Sequence, residues 1–217
     1  MKKVLLFTGA TGSLGREFIE RFQDKYEFIP TARTKAPNFS DQLVPSDIRT
    51  ADGQTELLNH VENMYESPDI LINNAVYYCI KPLVDMTHSQ VENQFLTNIV
   101  ACLTLANLVV NRFWKNATQS NRERRRGIIN IGSTSGVHFY ATQGQGCYSA
   151  TKSALHMVTR HMAAEYNSYH IRVNAIAPTT FPGAVPISLV ADWIDHYCNT
   201  AETGEIRIID TEASYIL

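Results

Sequence analysis

Residues 3–22 read KVLLFTGATGSLGREFIERF, and the change of pattern inside this stretch decides the architecture. KVLLF is a short continuous apolar run, as expected of a strand buried on both faces. SLGREFIERFQ reads as a helix. Between them TGATGSLG sets Gly9, Gly12 and Gly15 where strand becomes helix. Glycine permits positive φ in a tight turn and lets the backbone approach a pyrophosphate. The free N–H groups of the helix N-terminus favour that negative charge. The turn, with Thr11, Ser13 and Leu14 beside its glycines, is therefore a candidate dinucleotide cradle.

The same alternation continues along the chain. YEFIPTA, DILINNA, GIINIG, HIRVNAIAP and GEIRIID read as strands. DGQTELLNHVENMY, a long segment from about Ser89, the segment from Cys147 to about Asn167, and SLVADWIDHYC read as helices. Repeated βα units joined by right-handed crossovers imply an α/β fold, a Rossmann-like doubly wound parallel sheet with helices on both faces. At 217 residues, with no composition shift or repeat, a single domain over 1–217 is expected. The charge run NRERRRG at 121–127 reads as a solvated loop.

A formal net charge of −2 and a pI near 6.4 offer no field for nucleic acid or an anionic membrane. Small-molecule chemistry is the expectation. Cys79, Cys102, Cys147 and Cys198 are scattered without CxxC or Cys/His spacing, so thiols in a reducing compartment are expected rather than metal ligands or disulfides. The apolar opening is too short before its glycines for a signal peptide, and no stretch is expected to span a membrane. A cytoplasmic location follows as the expectation.

In dinucleotide sites an acidic residue about 20 positions downstream takes the ribose hydroxyl. Here PTARTK puts Ala32 at that place and Arg33 after it. A carboxylate that would repel a 2′-phosphate is missing and a cation is present, so NADP(H) is preferred over NAD(H).

The stretch GCYSATKSALHM at 146–157 sets Tyr148 and Lys152 one helical turn apart, pointing into the same volume. Taken in order, TGATGSLG, SDI at 46–48, NNA at 73–75, Asn98, NIGS at 130–133, YSATK at 148–152 and RVNAIAP at 172–178 resemble the short-chain dehydrogenase/reductase family across nearly the whole chain. The resemblance implies that Tyr148 is the general acid/base of a hydride-transfer reaction on a ketone or aldehyde, or on the alcohol in reverse. Ser133 would orient the carbonyl, Lys152 and the cationic nicotinamide together would lower the tyrosine's pKa, and Lys152 would also hold the nicotinamide ribose. Bringing a tyrosine from about 10 to about 7 takes roughly 4 kcal/mol of preference for phenolate. The resemblance further gives Asp47 and Ile48 to the adenine, Asn74 and Ala75 to the cofactor ribose, Pro178 to the cofactor, and Asn98 to Lys152 through a water.

Ser135 is an alternative to Ser133, since it lies nearer Tyr148 in sequence. Ser133 stands at the carboxyl end of a strand, where ligands bind in open α/β sheets. The loop GVHFYATQGQG would then carry extra residues, and its Phe139 and Tyr140 either wall the pocket or pack. Val76 and Thr179 replace glycines usual in the family, and only 179–187 stands where a longer substrate lid is usual. His156 and His161 are wrongly spaced for a metal pair and read as partly buried or surface histidines. Two other functions remain open: a dinucleotide-binding regulatory or scaffold protein with little turnover, and an epimerase or dehydratase using the same tyrosine. By analogy with the family, the long helices around Asn98 and Tyr148 would form a homodimer or homotetramer.

Overall fold

Successive side chains along a strand point to opposite faces, and this alternation builds two cores on one sheet. In β1 (Lys3–Thr8), Leu5 and Phe7 enter one core and Leu6 the other. β4 (Ile70–Asn73) repeats the pattern, with Ile70 and Ile72 on the first side and Leu71 on the second. The computed structural model describes residues 1–36, 39, 42–141, 144–211 and 214–217.

The other strands are β2 (Tyr26–Ala32), β3 (Val44–Pro45), β5 (Gly127–Ile131), β6 (Arg172–Pro178), β7 (Ile206–Ile209) and β8 (Ser214–Ile216). Their order across the sheet is β3-β2-β1-β4-β5-β6-β7-β8, with only the β7–β8 pair antiparallel. This is the expected doubly wound sheet. The short edge strands β3 and β8 are additions to the sequence reading.

Helices α1 (Ser13–Phe22) and α7 (Ile187–Asn199) cover the first core. Phe18 of α1 is fully buried, its ring 5.7 Å from that of Phe7 and 4.9 Å from that of Phe22. Burying such a ring stabilises by about 2–3 kcal/mol. Helices α2 (Ala51–Tyr65), α4 (Ala101–Val109) and α6 (Gly146–Tyr166) cover the second core through residues such as Leu57, Leu105 and Met162. Thr50 caps α2 by accepting a bond from the Gly53 amide at 3.0 Å. A reciprocal Thr87–Gln90 capping box starts α3 (His88–Phe95).

α3 and α4 belong to one rod from His88 to Trp114, broken by π turns at Leu96–Val100 and Val110–Trp114. By length and composition alone this rod could cross a membrane, which corrects the sequence expectation. It is built into the second core through Ala101, Leu105, Ala106, Val109 and Trp114, so a core helix passes the same test.

The charge run is also corrected. Its first part ends α5 (Thr118–Arg124), and its cations serve a buried carboxylate. Asp69 is only 1% exposed, accepts from the Val4 amide at 2.9 Å, and pairs with both Arg124 and Arg126. A buried carboxylate requires such partners, so the run clamps the starts of β4 and β5 to α5 instead of lying in solvent.

Candidate active site

The chain runs outward from β1 through β2 to β3 and then crosses to β4 on the other side of β1. The strand order therefore reverses between β1 and β4, and a crevice opens at their carboxyl ends. A cavity of about 880 Å³ lies there, within the range of small-molecule sites. Its walls follow the strand order: Arg33 after β2, Gly9 after β1, Asn74 and Ala75 after β4, Ser133 after β5, and Pro178 at the end of β6. Thr11, Gly12, Ser13, Leu14, Asp47 and Ile48 line it too.

The turn after β1 fits a dinucleotide phosphate. Gly9 has φ +65°, and a Cβ there would stand 2.8 Å from the Ala75 Cα. At Gly15 a Cβ would lie 2.4 Å from the Ala10 carbonyl oxygen, so glycine allows helix and strand to close together. α1 starts at Gly12 with no side-chain cap and no acidic residue in its first turn, leaving its N–H groups and partial positive charge to an anion. Thr8 fixes the geometry: its hydroxyl donates to the Ile72 carbonyl at 3.1 Å and accepts from the amides of Asn74 and Ala75 at 3.0 and 3.1 Å. The Asn74 side chain donates to the Thr8 and Gly9 carbonyls, so it braces the turn.

At the far end Arg33 is exposed on the cavity wall. Asp47 is gripped by Arg49, whose Nε and terminal nitrogen lie 2.8 and 2.6 Å from its two oxygens. That guanidinium holds the Asp47 carboxyl below the usual carboxylate range. Arg49 also donates to Asn93 at 3.0 Å.

The hydroxyl groups meet at the other end. Ser133 follows β5 and lines the cavity together with Tyr148, whose phenol it favours in the ionised form, while its Oγ accepts from the Ser135 amide at 3.1 Å. Ser135 instead donates to Gln145 at 3.1 Å. Of the two candidate serines, Ser133 is the one brought to Tyr148. Lys152 is buried on the inner face of α6, and its Nζ donates to the Ile131 carbonyl at 2.6 Å. Its ammonium sits 5.7 Å from the centre of the Tyr148 ring.

Burial dominates the electrostatics. It pushes Tyr148 up to about 12, opposed by the Ser133 hydrogen bond and reinforced by Tyr78. It draws Lys152 down to about 8. Among the protein's own groups, burial of the phenol therefore outweighs any lowering of the Tyr148 pKa by Lys152, whose ammonium is turned to Ile131.

Asn98 lies in the first π turn and is 1% exposed. Its Oδ1 accepts from the Tyr77 amide at 2.9 Å, and its Nδ2 donates to the Tyr77 carbonyl at 3.2 Å and to Thr151 at 3.1 Å. Thr151 in turn donates to the Tyr148 carbonyl at 2.7 Å. These direct bonds go to the segment after β4 and to α6, and none reaches Lys152.

His156 is 4% exposed, which corrects the reading of a partly buried or surface histidine. Its ring fills the space beside Gly132 and Gly136, and burial draws its pKa to about 4. Tyr140 lines the cavity and donates to Thr134 at 3.0 Å, whereas Phe139 is exposed. Positions 142 and 143 of that loop lie outside the described residues. Sequence reasoning missed Tyr78, whose ring meets that of Tyr148 edge-on at 4.9 Å. It also missed Thr8, although its place at the end of β1 beside the glycines was a usable signal.

Comparison with known proteins adds a lineage to this geometry. Residues 3–188 match the family described as short chain dehydrogenase. The chain is 28% identical over 151 residues to a rhamnolipids biosynthesis 3-oxoacyl-[acyl-carrier-protein] reductase of Pseudomonas aeruginosa, covering 70% of this chain and 57% of that protein. It is 27% identical over 190 residues to a diacetyl reductase [(S)-acetoin forming] of Staphylococcus epidermidis, covering 82% of this chain and 71% of the relative. The chain thus spans little more than half the length of the first and about seven-tenths of the second. A solved short chain dehydrogenase of Leptospira borgpetersenii with bound NAD+ superposes with a TM-score of 0.86 at 22% identity, covering 97% of this chain and 92% of that one.

Proposed function

The chain belongs to the short chain dehydrogenase family, and from that premise we propose that it is an NADP(H)-dependent oxidoreductase interconverting a ketone or aldehyde and its alcohol. The observation that carries the reading is that Ser133 and Tyr148 line the same cavity that begins at the Gly9 and Gly12 turn. The nicotinamide, when bound, supplies or takes the hydride.

The chain's own residues do the rest. Ser133 donates a hydrogen bond to the substrate oxygen, and Tyr148 delivers its proton to that oxygen or takes it back in the oxidative direction. A phenol pushed up to about 12 is held protonated at neutral pH, which suits the acid role in reduction. Lys152 acts below Tyr148 as a cation that favours phenolate as the proton leaves. Asn98 positions Tyr148 through Thr151 and the segment after β4 through Tyr77.

The preference for NADP(H) rests on Arg33 at the cavity wall and the uncharged Ala32 before it. The 179–187 segment is a short turn anchored by buried Val185, in keeping with one nucleotide-binding domain whose substrate lid is reduced. Exposed Val91, Phe95, Val100 and Leu108 on the long rod and Met157 on α6 support a homodimer or homotetramer.

Fluorescence titration with NADPH and NADH, repeated on Arg33→Ala, tests the assignment. Loss of a charge-assisted phosphate contact of about 1.5–3 kcal/mol weakens NADPH by roughly 10- to 100-fold and leaves NADH nearly unchanged. Equal loss for both nucleotides rejects the phosphate role. The Lys152 ammonium's bond to Ile131 favours a second reading, a dinucleotide-binding protein with little turnover. Tight nucleotide binding without oxidation of NADPH by any carbonyl selects that reading.

A further inference from the structure

The substrate half of the cavity has a composition that the oxidoreductase reading leaves unexplained. Among the described residues, the charged side chains lining the cavity are Arg33, Asp47 and Arg49, all beyond β2 or β3 at the nucleotide end. Around Ser133 and Tyr148 the lining is uncharged, with Val76, Tyr78, Tyr140 and Phe181 beside hydroxyl groups and the Gln145 amide, which accepts from Ser135. The nearby cation, Lys152, lies buried beneath, with its ammonium turned to Ile131.

One wall is formed by Val76, Tyr77 and Tyr78, the start of a strap over 76–85 that is fixed at several points. Asn98 holds Tyr77 by two hydrogen bonds, Gln94 donates to the Cys79 carbonyl at 3.3 Å, and the Lys81 amide donates to the Gly144 carbonyl at 3.1 Å. Leu83 packs against Gly146 at the start of α6. So anchored, the strap presents Val76 and Tyr78 to the cavity, both with exposed surface, and continues into exposed Ile80 and Leu83. Tyr78 is 62% exposed, yet one edge of its contact is already made on the Tyr148 ring. Phe181, from the short segment after β6, stands on the opposite wall and packs partly into the first core.

We infer that the substrate is an uncharged carbonyl compound with an apolar or aromatic body, and that Tyr78 is the residue that selects it. This rests on the oxidoreductase reading for the reacting group and on the lining alone for the body. A carboxylate beside the carbonyl would be desolvated against Tyr78, Tyr140 and Phe181 with no cation offered to it. An aromatic or alkyl group would bury apolar area there and meet the Tyr78 ring. The anchored strap closes over Tyr148 from the β4 side, where the reduced 179–187 segment leaves less cover from the β6 side.

Calorimetric titration with 1-phenylethanol and mandelate, with and without saturating NADPH, tests the inference. The two alcohols differ by a methyl group in place of a carboxylate, and neither reacts with the reduced nucleotide. The expected result is at least tenfold tighter binding of 1-phenylethanol. Tyr78→Ala should weaken 1-phenylethanol several-fold and narrow its advantage over mandelate, while leaving NADPH unchanged. Equal affinities, a preference for mandelate, no binding of either alcohol, or an unchanged preference in Tyr78→Ala overturns it. Binding of 1-phenylethanol as expected without reduction of acetophenone by NADPH counts instead against the oxidoreductase reading.

Discussion

Replacing Lys152 with methionine separates what its ammonium does for chemistry from what it costs the fold. The side chain is 4% exposed, and burial lowers its pKa from 10.5 to about 8. At about 1.4 kcal/mol per tenfold change, holding the ammonium there at pH 7 costs the folded state about 3 kcal/mol. Methionine has similar length and carries no charge, but it gives up the bond to the Ile131 carbonyl, a loss of about 1–2 kcal/mol. The variant is expected to be more stable at pH 7 by about 1–2 kcal/mol, with a rise in Tm of roughly 2–8 °C. The pH dependence is the sharper sign. Because the lysine's folded pKa lies below its unfolded one, the folded state binds fewer protons between about 8 and 10.5, and stability rises with pH across that window. The cost is full below pH 8 and gone above 10.5. Urea denaturation of both proteins from pH 7 to 10.5 gives a difference that isolates this residue from the buried cysteines and tyrosines, whose raised pKa values act in the opposite direction. An advantage that shrinks by about 3 kcal/mol over the window supports the placement. A difference that is flat with pH refutes the buried, desolvated ammonium.

Two further substitutions probe the scaffold. Gly9→Ala combines positive φ with a Cβ 2.8 Å from Ala75, so it should lose at least about 2 kcal/mol in urea denaturation and weaken both nucleotides. Unchanged stability and nucleotide affinity would show that the turn relaxes. Asp69→Asn leaves the guanidinium groups of Arg124 and Arg126 without their carboxylate at a buried site, and a loss of about 3–5 kcal/mol in urea denaturation is expected. A loss below about 1 kcal/mol would return the arginines to the role of a solvated surface run.

Much of this architecture is legible because its signals are local. The apolar run of β1, the glycines beside it and the return of helical spacing in α1 all lie within residues 3–22. Ser133 is legible as a hydroxyl at the end of β5, and Tyr148 and Lys152 as neighbours one turn apart on α6. What escapes the sequence depends on residues distant along the chain. The arginines after Asn121 look like a solvated run until Asp69, at the start of a different strand, is brought under them. The Lys152 ammonium has two partners within reach, and only the fold shows that the Ile131 carbonyl takes it. Asn98 is visible as a helical asparagine, but its π turn and its bonds to Tyr77 and Thr151 require the packed structure. Tyr78 has no periodic signal at all, since its role comes from a ring contact across to α6. β3 and β8 are too short for alternation to mark them.

The account turns on Tyr148 as the proton donor in a dinucleotide site. The most direct test is NADPH oxidation by a neutral carbonyl such as acetophenone, for the protein and for Tyr148→Phe, alongside NADPH titrations of both. The account predicts turnover that falls by about 10²- to 10⁴-fold in the variant while nucleotide affinity stays the same. Turnover retained in Tyr148→Phe, or nucleotide bound by the unaltered protein without oxidation by any carbonyl, would contradict it.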